Sequence, residues 1–267
     1  MEINRSIVIV TGGANGIGKT IVKYLHNEGA FVYIADIDSV NGERVYSELG
    51  NLVSEIYFKQ CDVRDDGNRK NLVDSVIESS DHIDILINNA GGALQSERDY
   101  RKDYRGNFVE YDLGIYQPTF ELNLFAPIAM MNLVIPHMIR NEGGGSIINI
   151  SSVNAVLPLE LPAYSSAKAA LELITKLYAR QYGKYGVRIN AIRSGPVMTD
   201  DTLRAYENDP QQKETVLSMI SSRRIGTTDD VARTVLSLIQ NDAFVGSIVT
   251  VDGGFVLDTP FFRMGEK

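Results

Sequence analysis

Short runs of apolar, mostly β-branched residues recur from residue 7 to residue 251, each followed by a turn and then by a segment of helical period. No other feature limits the fold of this chain as tightly. The runs are Ile7 to Val10, Phe31 to Ala35, Glu55 to Gln60, residues 83–91, Ser146 to Ile150, Val187 to Ile192 and Ser247 to Val251. Most are apolar throughout, so the strands they predict must be covered on both faces. Between them lie helical patterns: Ile17, Ile21, Val22 and Leu25, ended by Gly29; Val40 to Leu49; Asp66 to Ser79; Tyr116 to Arg140, where Pro127 and Pro136 predict a bend; Tyr164 to Tyr185; and Asp229 to Asn241, opened by a Thr-Thr-Asp-Asp cap region. Strands in alternation with helices predict an α/β fold, a doubly wound, seven-stranded parallel sheet with helices on both faces and right-handed crossovers.

A chain of 267 residues can fill one such sheet, and with no repeat or linker we expect one domain over 1–267. Three stretches break the rhythm. Residues 92–114 carry Tyr100, Tyr104, Phe108 and Tyr111 among many charges with no clean period, and read as an extended loop, either a substrate wall or a solvated excursion. Residues 199–222 are polar and weakly helical, and the tail 256–267 holds Phe261 and Phe262. The net charge of −8, with both signs interspersed, leaves no electrostatic footprint for nucleic acid. Cys61 is alone, the start M-E-I-N-R-S does not read as a signal peptide, and no apolar run reads as membrane-spanning; a cytoplasmic protein is expected. His26, His82 and His137 are scattered, so no metal site is expected.

In a doubly wound sheet, ligands sit beyond the carboxyl ends of the strands, which is where the glycine-rich and polar exits of this chain fall. T-G-G-A-N-G-I-G at 11–18 places Gly12, Asn15, Gly16, Ile17 and Gly18 between the first strand and the first helix, a turn that admits a pyrophosphate to the free N–H groups of a helix start. Asp36 closes the second strand, where a carboxylate can accept from an adenosine ribose. It would repel a 2′-phosphate, and neither Asn15 nor Ile37 offers a compensating charge, so NAD is favoured over NADP. Asp62 and Val63 end the third strand near the expected adenine edge. Asn88, Asn89, Ala90 and Gly91 leave the fourth toward the ribose and nicotinamide side. Tyr164 and Lys168 stand four apart on one helix face, as a proton donor and a tuning cation would, or as an ordinary amphipathic surface pair.

Taken in order, these motifs resemble the short-chain dehydrogenase/reductase family in its classical single-domain, Rossmann-type form. T-G-G-A-N-G-I-G is similar to T-G-x-x-x-G-x-G, N-N-A-G at 88–91 matches outright, Tyr164 with Lys168 matches Y-x-x-x-K, and the resemblance runs from Ile7 to about Phe255. It implies that Tyr164 is the general acid/base, that Lys168 binds the nicotinamide ribose and lowers the Tyr164 pKa, and that Asn123, in E-L-N-L, helps to hold a water linking Lys168 to solvent. Gly195, Val197 and Thr199 would face the nicotinamide carboxamide. The implied serine is Ser151 by counting back from the tyrosine or Ser152 by aligning the strand end. Strand alternation favours Ser152. Three departures stand out: Ser194, after Arg193, sits where the family commonly has proline; the 92–114 segment is about ten residues longer than usual; and the tail is extended. The implied activity is reversible hydride transfer between NAD(H) and a secondary alcohol or ketone (a sugar, polyol, hydroxy acid or cyclic alcohol) by a homo-oligomer, tetramer or dimer. An inactive dinucleotide-binding sensor or scaffold on the same fold is the alternative, and an epimerase or dehydratase would need a larger substrate domain.

Overall fold

The structure is a computed structural model that describes residues 1–50, 53–104, 108, 111–159 and 161–257, the side chains of 100–104 excepted. In chain order the first elements are β1 (Ile7–Thr11), α1 (Gly16–Asn27), β2 (Phe31–Asp36), α2 (Ser39–Leu49), β3 (Ile56–Gln60), α3 (Asp66–Ser80), β4 (Ile85–Asn88) and α4 (Gln95–Tyr104). Then come α5 (Tyr116–Phe120), α6 (Ala126–Met138), β5 (Gly145–Ser152), α7 (Pro162–Tyr182) and β6 (Val187–Ser194). The last elements are β7 (Val197–Met198), α8 (Asp200–Asn208), α9 (Pro210–Met219), β8 (Gly226–Thr227), α10 (Thr228–Gln240) and β9 (Ile248–Val251).

Seven strands form one sheet in the order β3-β2-β1-β4-β5-β6-β9, every pair parallel. The expected doubly wound sheet is therefore present. Its order reverses between β1 and β4, and the register brings the strand exits level: Thr11 pairs with Ala35 and with Asn88, Asn88 with Asn149, and Ser152 with Ser194. Motifs far apart in sequence thus open onto one crevice.

Both sheet faces are covered, which is why the strands read as continuous apolar runs. On one side Val8, Val10, Ile85, Ile148 and Ile192 meet Ile21 and Leu25 of α1 and Val231, Val235 and Leu238 of α10. On the other, Ile9, Leu86, Ile147 and Ile189 meet Leu72 and Val76 of α3 and Met130, Met131, Val134 and Met138 of α6.

Three expectations need correction. The long helix is a composite of a 3-10 turn at Leu113–Ile115, α5, a π turn at Glu121–Phe125, and α6. The irregularity falls before Pro127 because a proline ring crowds the carbonyl four residues earlier, here that of Asn123, and gives it no N–H. Within Leu113–Met138, 26 residues long, an 18-residue stretch has a mean hydropathy of 1.3, so by length and composition one segment does qualify to cross a bilayer. Half of it is buried within the molecule, where α6 supplies the face against the sheet.

Residues 92–114 are not simply an extended loop, since α4 lies within them. Its sequence, QSERDYRKDY, lacks an apolar stripe, and periodicity could not reveal it. The 199–222 stretch forms α8 and α9, capped by the side chains of Thr199 and Asp209, and β7 pairs with β8 in a second, two-stranded sheet that short polar sequence did not announce. Phe261 and Phe262 lie outside the described residues.

Candidate active site

The glycine turn is built for close backbone approach. Gly12 has φ +64°, its N–H donates to the Ala35 carbonyl at 2.7 Å, and a Cβ there would lie 2.8 Å from the Ala90 Cα. A Cβ on Gly18 would collide with the Gly12 carbonyl. Asn89 braces the same junction, its amide donating to the Thr11 and Gly12 carbonyls at 3.1 and 2.8 Å, while the Thr11 hydroxyl accepts the Asn89 and Ala90 N–H groups. Asn89 is thus committed to holding the turn. Asn88 is buried and donates to the Asn149 Oδ1 at 2.9 Å.

Asn15 precedes α1 without capping it, its amide turned instead to Asp38 at 3.3 Å, and among the described residues no other side chain caps that helix. A helix start without a side-chain cap, beside glycines that exclude side chains, fits a pyrophosphate. At the end of β2 one Asp36 oxygen accepts the Ala14 N–H at 2.9 Å and the other the Asp38 N–H at 3.0 Å, which fixes the carboxylate against the turn. Ile37, 56% exposed, and Asp38 follow it, so no cation adjoins Asp36 along the chain. The cradle therefore fits a dinucleotide. Asp62 follows the end of β3, where its carboxylate is clasped by the Arg64 guanidinium at 2.7 to 3.2 Å, which lowers its pKa, and neighbouring Val63 is buried.

The second group of residues gathers where β5 meets α7. Ser152 and Ser151 separate as strand alternation requires. The Ser152 hydroxyl donates to Asn154 Oδ1 at 3.1 Å and is close enough to the Tyr164 phenol to lower its pKa. The Ser151 hydroxyl instead donates to Glu172 at 2.9 Å. Arg193 closes on the same Glu172 with two hydrogen bonds, and Ser194 donates to the Ser151 carbonyl at 3.3 Å. Arg193 and Ser194 are thus turned into this inner network.

Lys168 is 3% exposed, its ammonium donating to the Ile150 carbonyl at 2.8 Å and lying 5.7 Å from the centre of the Tyr164 ring. Burial pulls its pKa down from 10.5 to about 8. Burial pushes the Tyr164 phenol up, offset in part by the Ser152 hydroxyl and by Arg98, and reinforced by Glu97. The Lys168 ammonium sits against the Tyr164 ring while bonded to the Ile150 carbonyl.

Asn123, held by the π turn, exchanges two hydrogen bonds with the Gly92 backbone, donating at 3.0 Å and accepting at 2.9 Å, and also donates to the Thr119 carbonyl. A Cβ at Gly91 would lie 2.8 Å from the Asn123 Oδ1 and 3.2 Å from the Lys168 Nζ, so this glycine lets the two side chains meet at the end of β4. Thr199 lies against the glycine turn, its methyl 3.4 Å from where a Gly16 Cβ would stand. Gly195 abuts Asp252, and Val197 is buried in the apolar core.

The structure thus brings together Ser152, Tyr164, Lys168, Asn123 and Gly91, with Gly12, Gly16, Gly18, Asp36, Ala90 and Thr199 along the same crevice. It turns Asn89 and Asp62 to protein partners. Two residues close to Tyr164 were not foreseen. Asn154 was signalled only by lying two residues beyond Ser152. Glu97, fully buried, carried no signal, because it sits in a charged stretch without period.

With this geometry in view, comparison with known proteins is informative. The family model described as Enoyl-(Acyl carrier protein) reductase matches residues 12–256. A 7alpha-hydroxysteroid dehydrogenase of Bacteroides fragilis is 30% identical over 98% of this chain and 99% of that protein. A cyclopentanol dehydrogenase of Comamonas testosteroni is 30% identical over 95% of this chain and 98% of that protein. The solved structure of a 7 alpha-hydroxysteroid dehydrogenase complexed with NADH and 7-oxo glycochenodeoxycholic acid superposes with a TM-score of 0.84 at 29% identity, covering 95% of this chain and 96% of that one. Fold, motif order and relatives agree, and the chain belongs to the short-chain dehydrogenase/reductase family.

Proposed function

We propose that this protein is an NAD-dependent oxidoreductase that interconverts a secondary alcohol and its ketone. The observation that carries the reading is the meeting of Ser152, Tyr164, Lys168 and Asn123 beside Gly91, at the end of a glycine cradle closed by Asp36. A nicotinamide dinucleotide, when bound there, supplies the redox chemistry. The dehydrogenases to which the chain is similar act on ring alcohols, which supports a cyclic alcohol or ketone as the substrate class.

The chain's own residues orient the substrate and move its proton. Ser152 hydrogen-bonds the substrate oxygen and directs it at the Tyr164 hydroxyl. Because burial raises the Tyr164 pKa, the phenol is protonated at neutral pH and is set to donate to a carbonyl; in the alcohol direction it must accept, and that rate rises with pH. Lys168 would hold the ribose of a bound dinucleotide, and Asn123 fixes the Gly92 backbone beside it. Asp36 accepts from the adenosine ribose, and its charge selects NAD over NADP.

The same proposal includes a homo-oligomer and a cytoplasmic location. Leu173 and Leu177, one turn apart on α7, are 60% and 51% exposed, an apolar strip that supports contact with a second copy. The deciding experiment is oxidation of a panel of sugars, polyols, hydroxy acids and cyclic alcohols with NAD+ and NADP+, by wild type and by Tyr164→Phe. Turnover lost by at least about 10²-fold with NADH affinity kept supports the reading. NADH binding by wild type with no turnover of any alcohol favours a sensor instead.

A further inference from the structure

The helix that carries Tyr164 begins without a cap of its own. α7 opens at Pro162 after Leu161, whose side chain accepts nothing, so the N–H groups of Ala163 and Tyr164 need an acceptor from elsewhere. Glu97 supplies it from α4. One carboxylate oxygen accepts the Ala163 N–H at 2.9 Å, the Tyr164 N–H at 3.2 Å and the Tyr111 hydroxyl at 3.0 Å. Glu97 is 0% exposed, sealed beside a small cluster of Tyr111, Ile115 and Ala163.

We propose that Glu97 is a positioning residue for Tyr164: through its carboxylate the 92–114 segment fixes the start of the catalytic helix and adjusts the charge felt by the phenol. This rests on the dehydrogenase reading of the site. Two features favour a role beyond fastening a loop. A buried carboxylate is a costly fastener, more so because its second oxygen has no partner among the described residues. Moreover, the groups around the phenol make Glu97 a local negative charge: Arg98 beside it on α4, Lys168 beneath the ring on α7 and the Ser152 hydroxyl from β5 are cationic or neutral, and the Tyr111 phenol facing Glu97 is neutral, burial and Glu97 having raised its pKa. Glu97 raises the Tyr164 pKa and Arg98 lowers it. The segment is therefore wired to the proton donor.

The test uses full-length wild type, Glu97→Gln and Glu97→Ala, with NAD+ and the alcohol that wild type oxidises fastest. In Glu97→Gln an oxygen can still accept the two N–H groups while the charge is gone. Its kcat should stay within about threefold of wild type, and the rising limb of kcat/KM against pH should move to lower pH, because the phenol loses a group that raised its pKa. In Glu97→Ala the limb should move the same way, kcat should fall about 10- to 100-fold with the KM for NAD+ unchanged, and amide exchange over 161–166 should quicken by at least about tenfold. A limb that stays in place in Glu97→Gln overturns the proposal, even if Glu97→Ala does not fold. So does Glu97→Ala with wild-type kcat and exchange. If wild type binds NADH but oxidises nothing, the dehydrogenase reading fails on its own, and exchange over 161–166 still judges the cap: quickened in Glu97→Ala but not in Glu97→Gln supports it, and unchanged in Glu97→Ala overturns it.

Discussion

Replacing Lys168 by Met separates what this side chain costs the fold from what it contributes to the site. The ammonium is 3% exposed with one recorded hydrogen bond, to the Ile150 carbonyl, and its pKa falls from 10.5 to about 8 on burial. That fall corresponds to a penalty on folding of about 3 kcal/mol at neutral pH. Losing the hydrogen bond offsets about 1–2 kcal/mol of the gain on substitution. Met of similar length should therefore stabilise the ligand-free chain by about 1–2 kcal/mol at pH 7, or about 2–4 °C in Tm for a chain of this size. Between pH 8 and 10.5 the unfolded chain holds more protons than the folded one, so wild-type stability from this group rises with pH across that window and is flat below it. At pH 10 the penalty has shrunk to about 1 kcal/mol, and the advantage of Lys168→Met should have disappeared. Thermal melts of both proteins without dinucleotide, at pH 7 and pH 10 and one fixed protomer concentration, measure this directly. Equal or lower stability of the variant at pH 7, or a gap unchanged at pH 10, would refute the reasoning. Turnover should be lost in the variant at both pH values.

Other substitutions test the remaining assignments. Ser152→Ala should lower kcat by about 10²-fold, whereas Ser151→Ala should keep kcat and lose about 1 kcal/mol of stability with its bond to Glu172, read by steady-state kinetics and urea unfolding. Asp36→Ala should narrow the preference for NAD+ over NADP+ in kcat/KM by at least about tenfold, because it removes the charge that repels a 2′-phosphate. Leu173→Glu with Leu177→Glu should leave a folded monomer by light scattering, while an unchanged mass would place the contact between copies elsewhere.

The sequence made the main sheet legible because burial on both faces writes itself as uninterrupted apolar runs, and Ile7–Thr11 or Ile85–Asn88 could hardly be anything else. Strand alternation separates the two serines onto opposite faces, and aligning the strand end with the resembled family favours Ser152. What stayed hidden was whatever polar contacts hold in place. α4 has no apolar stripe and is fastened through Glu97 and Tyr111, which no local pattern connects to Ala163. Asp62 and Asn89 occupy the expected strand ends, but their side chains are taken by Arg64 and by the carbonyls of Thr11 and Gly12, partners visible only in three dimensions. The π turn was signalled only as a bend near Pro127, and its position had to come from the carbonyl that the proline displaces.

That extra residue before Pro127 sets the phase between two jobs of one rod. Downstream, Met130, Met131 and Val134 must face the sheet; upstream, Asn123 must face Gly92. Deleting a neighbour such as Leu122 would let the segment rewind as plain α-helix and swing everything before it by about 100° about the axis. The apolar face would stay seated, and the whole error would be delivered to the backbone beside the crevice.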